Sequence, residues 1–451
     1  MRKLLENAAQ RALCYLEDLD ARGVAPLPDA IARLAQLDRP LPQGPGEPET
    51  TLQLLDEICS PATMATAGPR FFGLVIGGSH PVALAANWLA GAWDQNSAYY
   101  NISPPAAQLE QIALSWLLDL FDLPRDCGGA FVTGATMANF SALAAARHAV
   151  LKRAGWNVEA DGLFGAPPIT VIVGAEVHPS IIKALGLLGL GRSRTIPVPV
   201  DARGRMRAEA LPPISGPTIV CAQAGNVNTG AFDPIAEISA RAHQAGAWVH
   251  VDGAFGLWAR ADASRAELTD GVDQADSWAT DFHKWLNVPH DSGMALVRDA
   301  EALRAAMAVT ADYLPTVTPF RNPSDYAPEL SRRARGVEVW AALHSLGRTG
   351  VAALVERTCR HARRFAEGLR AAGYEVLNEV VLNQVLVSFG DAETTTRVIA
   401  EIQGEGTCWC GGTVWQGRTA MRISVSSWAT TDEDVERSLE AMLGLARKQR
   451  G

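Results

Sequence analysis

The chain has 451 residues, 48% of them hydrophobic and 20% charged, which predicts a globular protein with a large core, either as two domains or as one large domain with appendages. Its formal net charge of −9, with scattered Lys and Arg, excludes the basic surface that binding to nucleic acid or anionic lipid requires. No apolar run approaches the roughly 20 residues that span a bilayer, and the N-terminus lacks a signal-peptide pattern. We therefore expect a cytoplasmic protein that binds neither membrane nor nucleic acid. Its seven sparse cysteines are expected to be reduced thiols that hold no metal.

The first 60 residues predict two helices separated by a proline-rich stretch. Apolar residues recur with helical spacing from Leu4 to Leu16, prolines cluster between positions 26 and 48, and a second helix is predicted at 52–58. A segment of this size cannot form a core alone. It is therefore expected to pack against another part of the protein.

Residues 69–104 combine aromatic residues with turn-forming residues. Phe71, Phe72, Tyr99 and Tyr100 lie where polar residues would form an ordinary loop. Two interpretations stay open: these aromatic residues line a pocket, or they pack at an interface between subunits.

A strand, a turn of small residues and an alanine-rich helix are predicted over residues 128–151, after a helix at 106–121. The turn, Gly134, Ala135 and Thr136, lies at the N-terminus of the helix. Free backbone N–H groups, the helix dipole and the Thr136 hydroxyl suit a phosphate dianion, and the two small residues allow it to approach closely.

Polar residues follow each of the next predicted strands. His178 comes after the strand at 169–173, and Asn226 and Asn228 come after the strand at 218–222. A lone histidine at a strand end is commonly a polar turn residue, so His178 by itself identifies no function. Asp252 ends the apolar strand that begins near Ala247, which is where α/β enzymes place ligand-binding groups, although it could also cap the next turn.

Lys284 lies between His283 and Trp285, just after a short strand-like segment. A lysine amine at its ordinary pKa is protonated, but partial burial depresses the pKa until the amine can form a Schiff base with an aldehyde. On this segment alone, a surface lysine beside a tryptophan is the alternative. Asp252 supports the first interpretation, because a carboxylate can keep a pyridinium nitrogen protonated, and the two residues together indicate pyridoxal phosphate.

The alternation of strands and helices predicts a mainly parallel sheet with helices on both faces. A helix at 299–308 and a long irregular segment at 312–328 follow, and a loop of this length in a compact enzyme is usually functional. A helix that opens within 331–343, a helix at 351–372, strands at 374–377, 384–389 and 421–425, and a helix at 394–403 predict a C-terminal α+β domain.

In their order along the chain, these motifs resemble the pyridoxal-phosphate-dependent group II amino acid decarboxylases, which include aromatic amino acid and glutamate decarboxylases. The resemblance rests on His-Pro-Ser at 178–180, Val-His-Val-Asp-Gly-Ala at 249–254 and Asp-Phe-His-Lys-Trp at 281–285. It implies pyridoxal 5'-phosphate as cofactor, the aminotransferase-like fold type I and an obligate homodimer. The implied domains are an N-terminal helical dimerisation segment at 1–68, a large cofactor-binding domain at 69–330 and a small α+β domain at 331–451.

The resemblance also implies roles for individual residues. Lys284 would carry the cofactor, His178 would stack on its pyridine ring, and Asp252 would pair with the pyridine nitrogen. Tyr326 in the long loop would protonate the carbanion after CO2 leaves, with Tyr313 as its rival. The other residues expected to bind the cofactor are Gly134, Ala135, Thr136, Asn228, Ala254, Asp281 and His283.

The predicted function is decarboxylation of an L-amino acid to the amine and CO2. The same cofactor also serves transamination, oxidative deamination and aldol-type cleavage, so these reactions are the alternative. A catalytically silent scaffold is a third hypothesis, which the presence of Lys284, Asp252 and His178 disfavours. The sequence does not identify the substrate side chain, although 12 tryptophans and the aromatic cluster favour an aromatic or apolar one.

Overall fold

The structure is a computed structural model that describes residues 1–309 and 320–449. The helices are α1 (Arg2–Asp18), α2 (Pro28–Arg33), α3 (Pro48–Cys59), α4 (Pro81–Trp93), α5 (Pro104–Leu120), α6 (Ala135–Arg153), α7 (Val158–Asp161), α8 (Pro179–Leu187), α9 (Ile235–Gln244), α10 (Ala300–Met307), α11 (Gly336–Ala371, kinked at Gly347), α12 (Ala392–Glu405) and α13 (Asp432–Lys448). The strands are β1 (Gly128–Val132), β2 (Thr170–Gly174), β3 (Thr195–Val198), β4 (Thr218–Gln223), β5 (Trp248–Asp252), β6 (Ser277–Asp281), β7 (Gly293–Val297), β8 (Glu375–Val376), β9 (Gln384–Ser388), β10 (Gly411–Trp415) and β11 (Arg418–Ser424).

The chain divides into two compact units, and the larger one comprises residues 79–360 and 378–384. It contains a seven-stranded sheet in the order β1-β7-β6-β5-β4-β2-β3. Strands β2 to β6 run parallel where they pair, and β7 is antiparallel to both of its neighbours. The mainly parallel sheet predicted from the sequence is therefore confirmed.

Helix α6 packs on this sheet and supplies much of the core. Its buried positions are mostly alanine, which lets the helix approach strands rich in Val, Ile and Ala. The central strands β4, β5, β6 and β7 are buried along their whole length, as continuous apolar strands of a covered sheet should be. The few polar residues in these strands, such as His250 and Ser277, are the informative exceptions.

The smaller unit comprises residues 1–78 and 361–377 and the chain from Val385 onward. A four-stranded sheet in the order β10-β11-β9-β8 is combined with helices, as the predicted C-terminal α+β fold requires. A buried arginine, Arg70, is paired with Asp20 and with Asp434, which ties the N-terminal segment to α13. Within the described ranges, no helix has both the length and the hydropathy needed to cross a membrane.

Candidate active site

Two aspartates end neighbouring parallel strands at one edge of the large sheet. Asp252 is the last residue of β5, and Asp281 is the last residue of β6. Strands β5 and β6 are paired in parallel, so their carboxyl ends lie at the same edge. Both aspartates are buried, with 4% and 2% of their surfaces exposed. Carboxylates this deeply buried require partners, and the partners define the site.

Lys284 is the first partner of Asp281. Its Nζ lies 2.9 Å from Asp281 Oδ2, and its side chain is mostly buried, with 16% of its surface exposed. The ring centre of Phe255 lies 6.0 Å from the same nitrogen. Burial alone would raise the pKa of Asp281, but the charge of Lys284 and the hydrogen bonds from Lys284 and from the Ala135 N–H hold that pKa below the ordinary value. Asp281 is therefore ionised and fixes the position of the Lys284 amine.

The turn before α6 lies against the same aspartate. The backbone N–H of Ala135 donates a hydrogen bond to Asp281 Oδ1. Gly134 adopts φ 150° and ψ −179°, a conformation that is essentially restricted to glycine. A Cβ at Gly134 would lie 2.9 Å from His283 Cε1 and 3.1 Å from Asp281 Oδ1. The turn, the helix N-terminus and the 281–284 segment are thus in direct contact. Binding of a phosphate at this turn stays a prediction.

His283 is held in its neutral form. Burial lowers its pKa to about 4, and the opposing charge of Asp281 does not restore it. The backbone N–H of Ser292 donates to His283 Nδ1 at 3.2 Å, so the ring proton lies on Nε2, 3.5 Å from Asp281 Oδ1. The ring of His290 stacks on it at 4.2 Å. His283 therefore presents a neutral N–H donor beside the turn.

Asp252 is held by two N–H donors and lies beside one hydroxyl group. Its Oδ1 accepts from the backbone N–H of Ala254 at 3.2 Å, and its Oδ2 lies 3.2 Å from Asn139 Nδ2 and 3.3 Å from Ser180 Oγ. Ser180 Oγ also lies 2.8 Å from His178 Nδ1. One hydroxyl thus connects His178, which is predicted to stack on the cofactor ring, with Asp252, which is predicted to pair with the pyridine nitrogen. Ala254 contributes its backbone to this arrangement.

His178 is the N-cap of α8. Its Nδ1 accepts from the backbone N–H of Ser180 at 3.2 Å, which satisfies one of the free donors of the helix and fixes the ring. Pro179 at the first helical position prevents the chain from extending the helix backward. A histidine that could have been a mobile turn residue is therefore locked against the Asp252 cluster.

The loop after β4 is organised by Asn226 rather than by Asn228. Asn226 Oδ1 accepts from the backbone N–H groups of Asn228 and Thr229, and its Nδ2 donates to Glu176 Oε2 at 3.1 Å. The side chain of Asn226 is thereby used within the loop. A contact between Asn228 and the cofactor stays a prediction.

Tyr326 is not brought together with these residues in the same chain. Its ring centre lies 4.2 Å from the guanidinium carbon of Arg321, which donates a hydrogen bond to the carbonyl of Gly129. Gly129 lies at the beginning of β1, whereas Lys284 follows the end of β6, and these strands run in the same direction. Tyr313, the other tyrosine predicted as the acid, lies outside the described residues.

Asn139 and His250 were not predicted from the sequence. Asn139 donates a hydrogen bond to Asp252, and His250 contacts Asn139. Asn139 is fully buried in the alanine-rich helix α6, and His250 is fully buried in the apolar strand β5. His250 Nε2 lies 2.8 Å from Asn139 Oδ1. His250 could have been found from the sequence, because it is a polar residue within an apolar strand, two positions before Asp252.

The residues present fit pyridoxal 5'-phosphate. The glycine turn at a helix N-terminus suits its phosphate, the buried and oriented carboxylate suits its pyridine nitrogen, and the Lys284 amine suits its aldehyde. The hydrogen bond from Ala135 to Asp281 uses one of the donors of the turn, so the phosphate would depend on the remaining groups of the turn.

Comparison with known proteins also indicates pyridoxal phosphate as the cofactor. Residues 31–390 match the model of the pyridoxal-dependent decarboxylase conserved domain. The chain is 32% identical to L-2,4-diaminobutyrate decarboxylase of Rhizobium meliloti (strain 1021), over 81% of this chain and 75% of that protein. It is 24% identical to aromatic-L-amino-acid decarboxylase of Bacillus atrophaeus, over 99% and 96% of the two chains.

Among solved structures, Oryza sativa TDC with PLP and tryptamine superposes with a TM-score of 0.92 at 22% identity, covering 100% of this chain and 98% of that one. This likeness confirms fold type I. The match over residues 31–390 takes in the turn before α6, both aspartates and Lys284, so the resemblance read from the motifs is confirmed. The chain belongs to the family of pyridoxal-phosphate-dependent amino acid decarboxylases.

Proposed function

We propose that this chain converts an L-amino acid to its amine and CO2 with the cofactor carried by Lys284. The observation that supports this most is the meeting of three groups at one sheet edge: the Lys284 amine, the glycine turn at Gly134 and the buried carboxylate of Asp252. Each group corresponds to one functional part of the cofactor.

When bound, pyridoxal phosphate supplies an electron sink that accepts the electron pair released as a carboxylate leaves as CO2. Asp252, held by its donors, would keep a proton on the pyridine nitrogen. His178, fixed by α8, would cover one face of the ring and restrain its tilt. Gly134, Ala135 and Thr136, with the N-terminus of α6 and the N–H of His283, would bind the phosphate.

A panel of L-amino acids tests the reaction and the substrate together. The panel should contain aromatic and apolar residues, the predicted class, along with diaminobutyrate and acidic residues. We expect equimolar CO2 and amine from at least one substrate and neither product from Lys284→Ala. Carbonyl product in place of amine would support oxidative deamination or transamination, and product without CO2 release would exclude decarboxylation.

We also propose a homodimer formed through α4. This helix packs Ala86 and Ala90 against a cluster from α5 and the beginning of α11, yet Trp88, Leu89 and Trp93 on its other side are 43%, 55% and 45% exposed. A helix that is apolar all around is normally buried on every side. A second copy of the chain would cover the exposed side, and an aromatic-rich patch is typical of such an interface.

Sedimentation of the cofactor-loaded protein tests the dimer. We expect a dimer for the wild type and a shift toward monomer for Trp88→Glu/Leu89→Glu. The matched control is Leu187→Glu, which changes a similarly exposed leucine on α8 (57% exposed) and should leave the dimer intact. A monomeric wild type, or a dimer unaffected by the double substitution, would refute this interface.

A further inference from the structure

Asp252 lies at the end of a line of buried polar side chains that runs along strand β5, between the large sheet and helix α6. Trp248 Nε1 lies 2.9 Å from Ser277 Oγ, which lies 2.9 Å from His250 Nδ1. His250 Nε2 lies 2.8 Å from Asn139 Oδ1, and Asn139 Nδ2 lies 3.2 Å from Asp252 Oδ2. All five residues are at most 4% exposed. A buried line of polar side chains is costly unless the hydrogen bonds of every member are satisfied.

The donors along this line can point in only one direction. A carboxylate only accepts, so Asn139 turns its Nδ2 toward Asp252 and its Oδ1 toward His250. A neutral His250 must then carry its ring proton on Nε2 and donate it to Asn139 Oδ1. Its Nδ1 therefore accepts from the Ser277 hydroxyl, which in turn accepts from the indole N–H of Trp248. Burial lowers the pKa of His250 to about 4, which agrees with a neutral ring.

The line also determines which oxygen of Asp252 remains available. Oδ2 is crowded by two polar atoms, Asn139 Nδ2 at 3.2 Å and Ser180 Oγ at 3.3 Å, whereas the Ala254 N–H is the only donor to Oδ1 among the described residues. Each carboxylate oxygen accepts about two hydrogen bonds. Oδ1 is therefore the oxygen with room for one further N–H donor.

We propose that His250 and Asn139 are positioning residues that orient Asp252 so that Oδ1 receives the N–H of the cofactor's pyridinium. This inference rests on the proposed function, since it assumes that pyridoxal phosphate binds at Lys284. His250 does not contact the cofactor; it acts by fixing the orientation of the Asn139 amide. If that amide were reversed, its oxygen would face the carboxylate and repel it.

The tautomer of His250 can be measured in the unmodified holoenzyme. Nitrogen NMR of protein labelled with 15N-histidine distinguishes a protonated from an unprotonated ring nitrogen, and the signal missing from His250→Gln identifies His250. We expect the proton on Nε2 and an unprotonated Nδ1. A proton on Nδ1, or a doubly protonated ring at neutral pH, would overturn the proposal.

Cofactor affinity tests whether the line acts through Asp252. His250→Leu removes the donor to Asn139, and we expect the Kd for pyridoxal phosphate to rise about tenfold, since a hydrogen bond to a charged group is of that strength. His250→Gln can still donate to Asn139 and should change the Kd less than about threefold. His361→Gln, at a buried histidine paired with Asp432 in the other unit, is the control for altering a buried ring and should leave the Kd unchanged.

A double-mutant cycle separates positioning from general loss of packing. In an Asp252→Asn background, we expect His250→Leu to have little further effect on the Kd. An equal effect in both backgrounds, or a wild-type Kd for His250→Leu, would overturn the inference. If wild-type protein bound no pyridoxal phosphate at Lys284, the proposed function itself would fail, and the NMR result would still report the orientation of the line.

Discussion

The glycine turn before α6 provides a quantitative test, through Gly134→Ala. The backbone at φ 150° and ψ −179° lies in a region that is essentially restricted to glycine and costs other residues about 1–3 kcal/mol. The new Cβ would also lie 2.9 Å from Cε1 of His283, closer than carbon atoms normally approach. His283 cannot yield freely, because its Nδ1 is held by the Ser292 N–H. Either the turn or His283 must therefore move.

Movement of the turn should weaken binding of the cofactor's phosphate. Loss of one hydrogen bond to a charged group costs about 1.5–3 kcal/mol, so the Kd for pyridoxal phosphate should rise about 10- to 100-fold. The assay is titration of apoprotein with the cofactor, together with chemical denaturation. Gly155→Ala is the matched control, because Gly155 has φ +81° and a Cβ added there would have no atom within 4 Å. It should destabilise the fold by about 1–2 kcal/mol and leave the Kd unchanged. Equal Kd values for Gly134→Ala and wild type would refute the placement of the phosphate at this turn.

Two further predictions concern protons. Burial lowers the pKa of His250 and of His283 from 6.5 to about 4. Between these two pH values the unfolded chain binds more protons than the folded chain. The free energy of unfolding should therefore fall as the pH decreases from 6.5 to 4, by up to about 3 kcal/mol per histidine. Denaturation of apoprotein across this interval measures how the free energy of unfolding depends on pH, and His250→Gln should reduce that dependence. A free energy of unfolding that does not change with pH would contradict the neutral, buried state of both rings. Tyr326→Phe and Tyr313→Phe, compared by the ratio of amine to CO2, identify the acid that protonates the product carbon. The acid's variant should yield less amine per CO2 released, and wild-type ratios and rates in both variants would exclude both tyrosines.

The sequence predicted those strands and candidate site residues that a local pattern marks. Apolar strands followed by polar residues identified β1, β2, β4 and β5, and the residues that end them proved to share one sheet edge. Asp252 and Lys284 were found this way because a single carboxylate after an apolar strand, or a lysine between aromatic residues, stands out locally.

Helix α4 was missed because its sequence lacks the contrast that reveals a helix. Residues 81–93 are almost entirely apolar, with only Asn87 and Gly91 as exceptions, so no polar face marks the helical period. Strands β3 and β10 were also missed. β3 is an edge strand, and β10 contains two glycines, so neither shows a buried alternating face.

The support behind Asp252 could not be predicted because it depends on long-range pairing. Asn139 lies 113 positions from Asp252 along the chain, and Ser180 lies 72 positions away. Only the packing of α6 and α8 on the sheet brings them together. Sequence patterns identify the groups that carry chemistry, whereas the groups that orient them follow from the tertiary fold.

The most direct test of the account is to find which lysine carries the cofactor. Reduction of the pyridoxal-phosphate-loaded protein with borohydride fixes a lysine-bound cofactor, and peptide mapping then locates it. We predict a single labelled site at Lys284, in the peptide that contains His283 and Trp285, and no label in Lys284→Ala. Label on any other lysine, or no label in wild-type protein that has bound the cofactor, would contradict it.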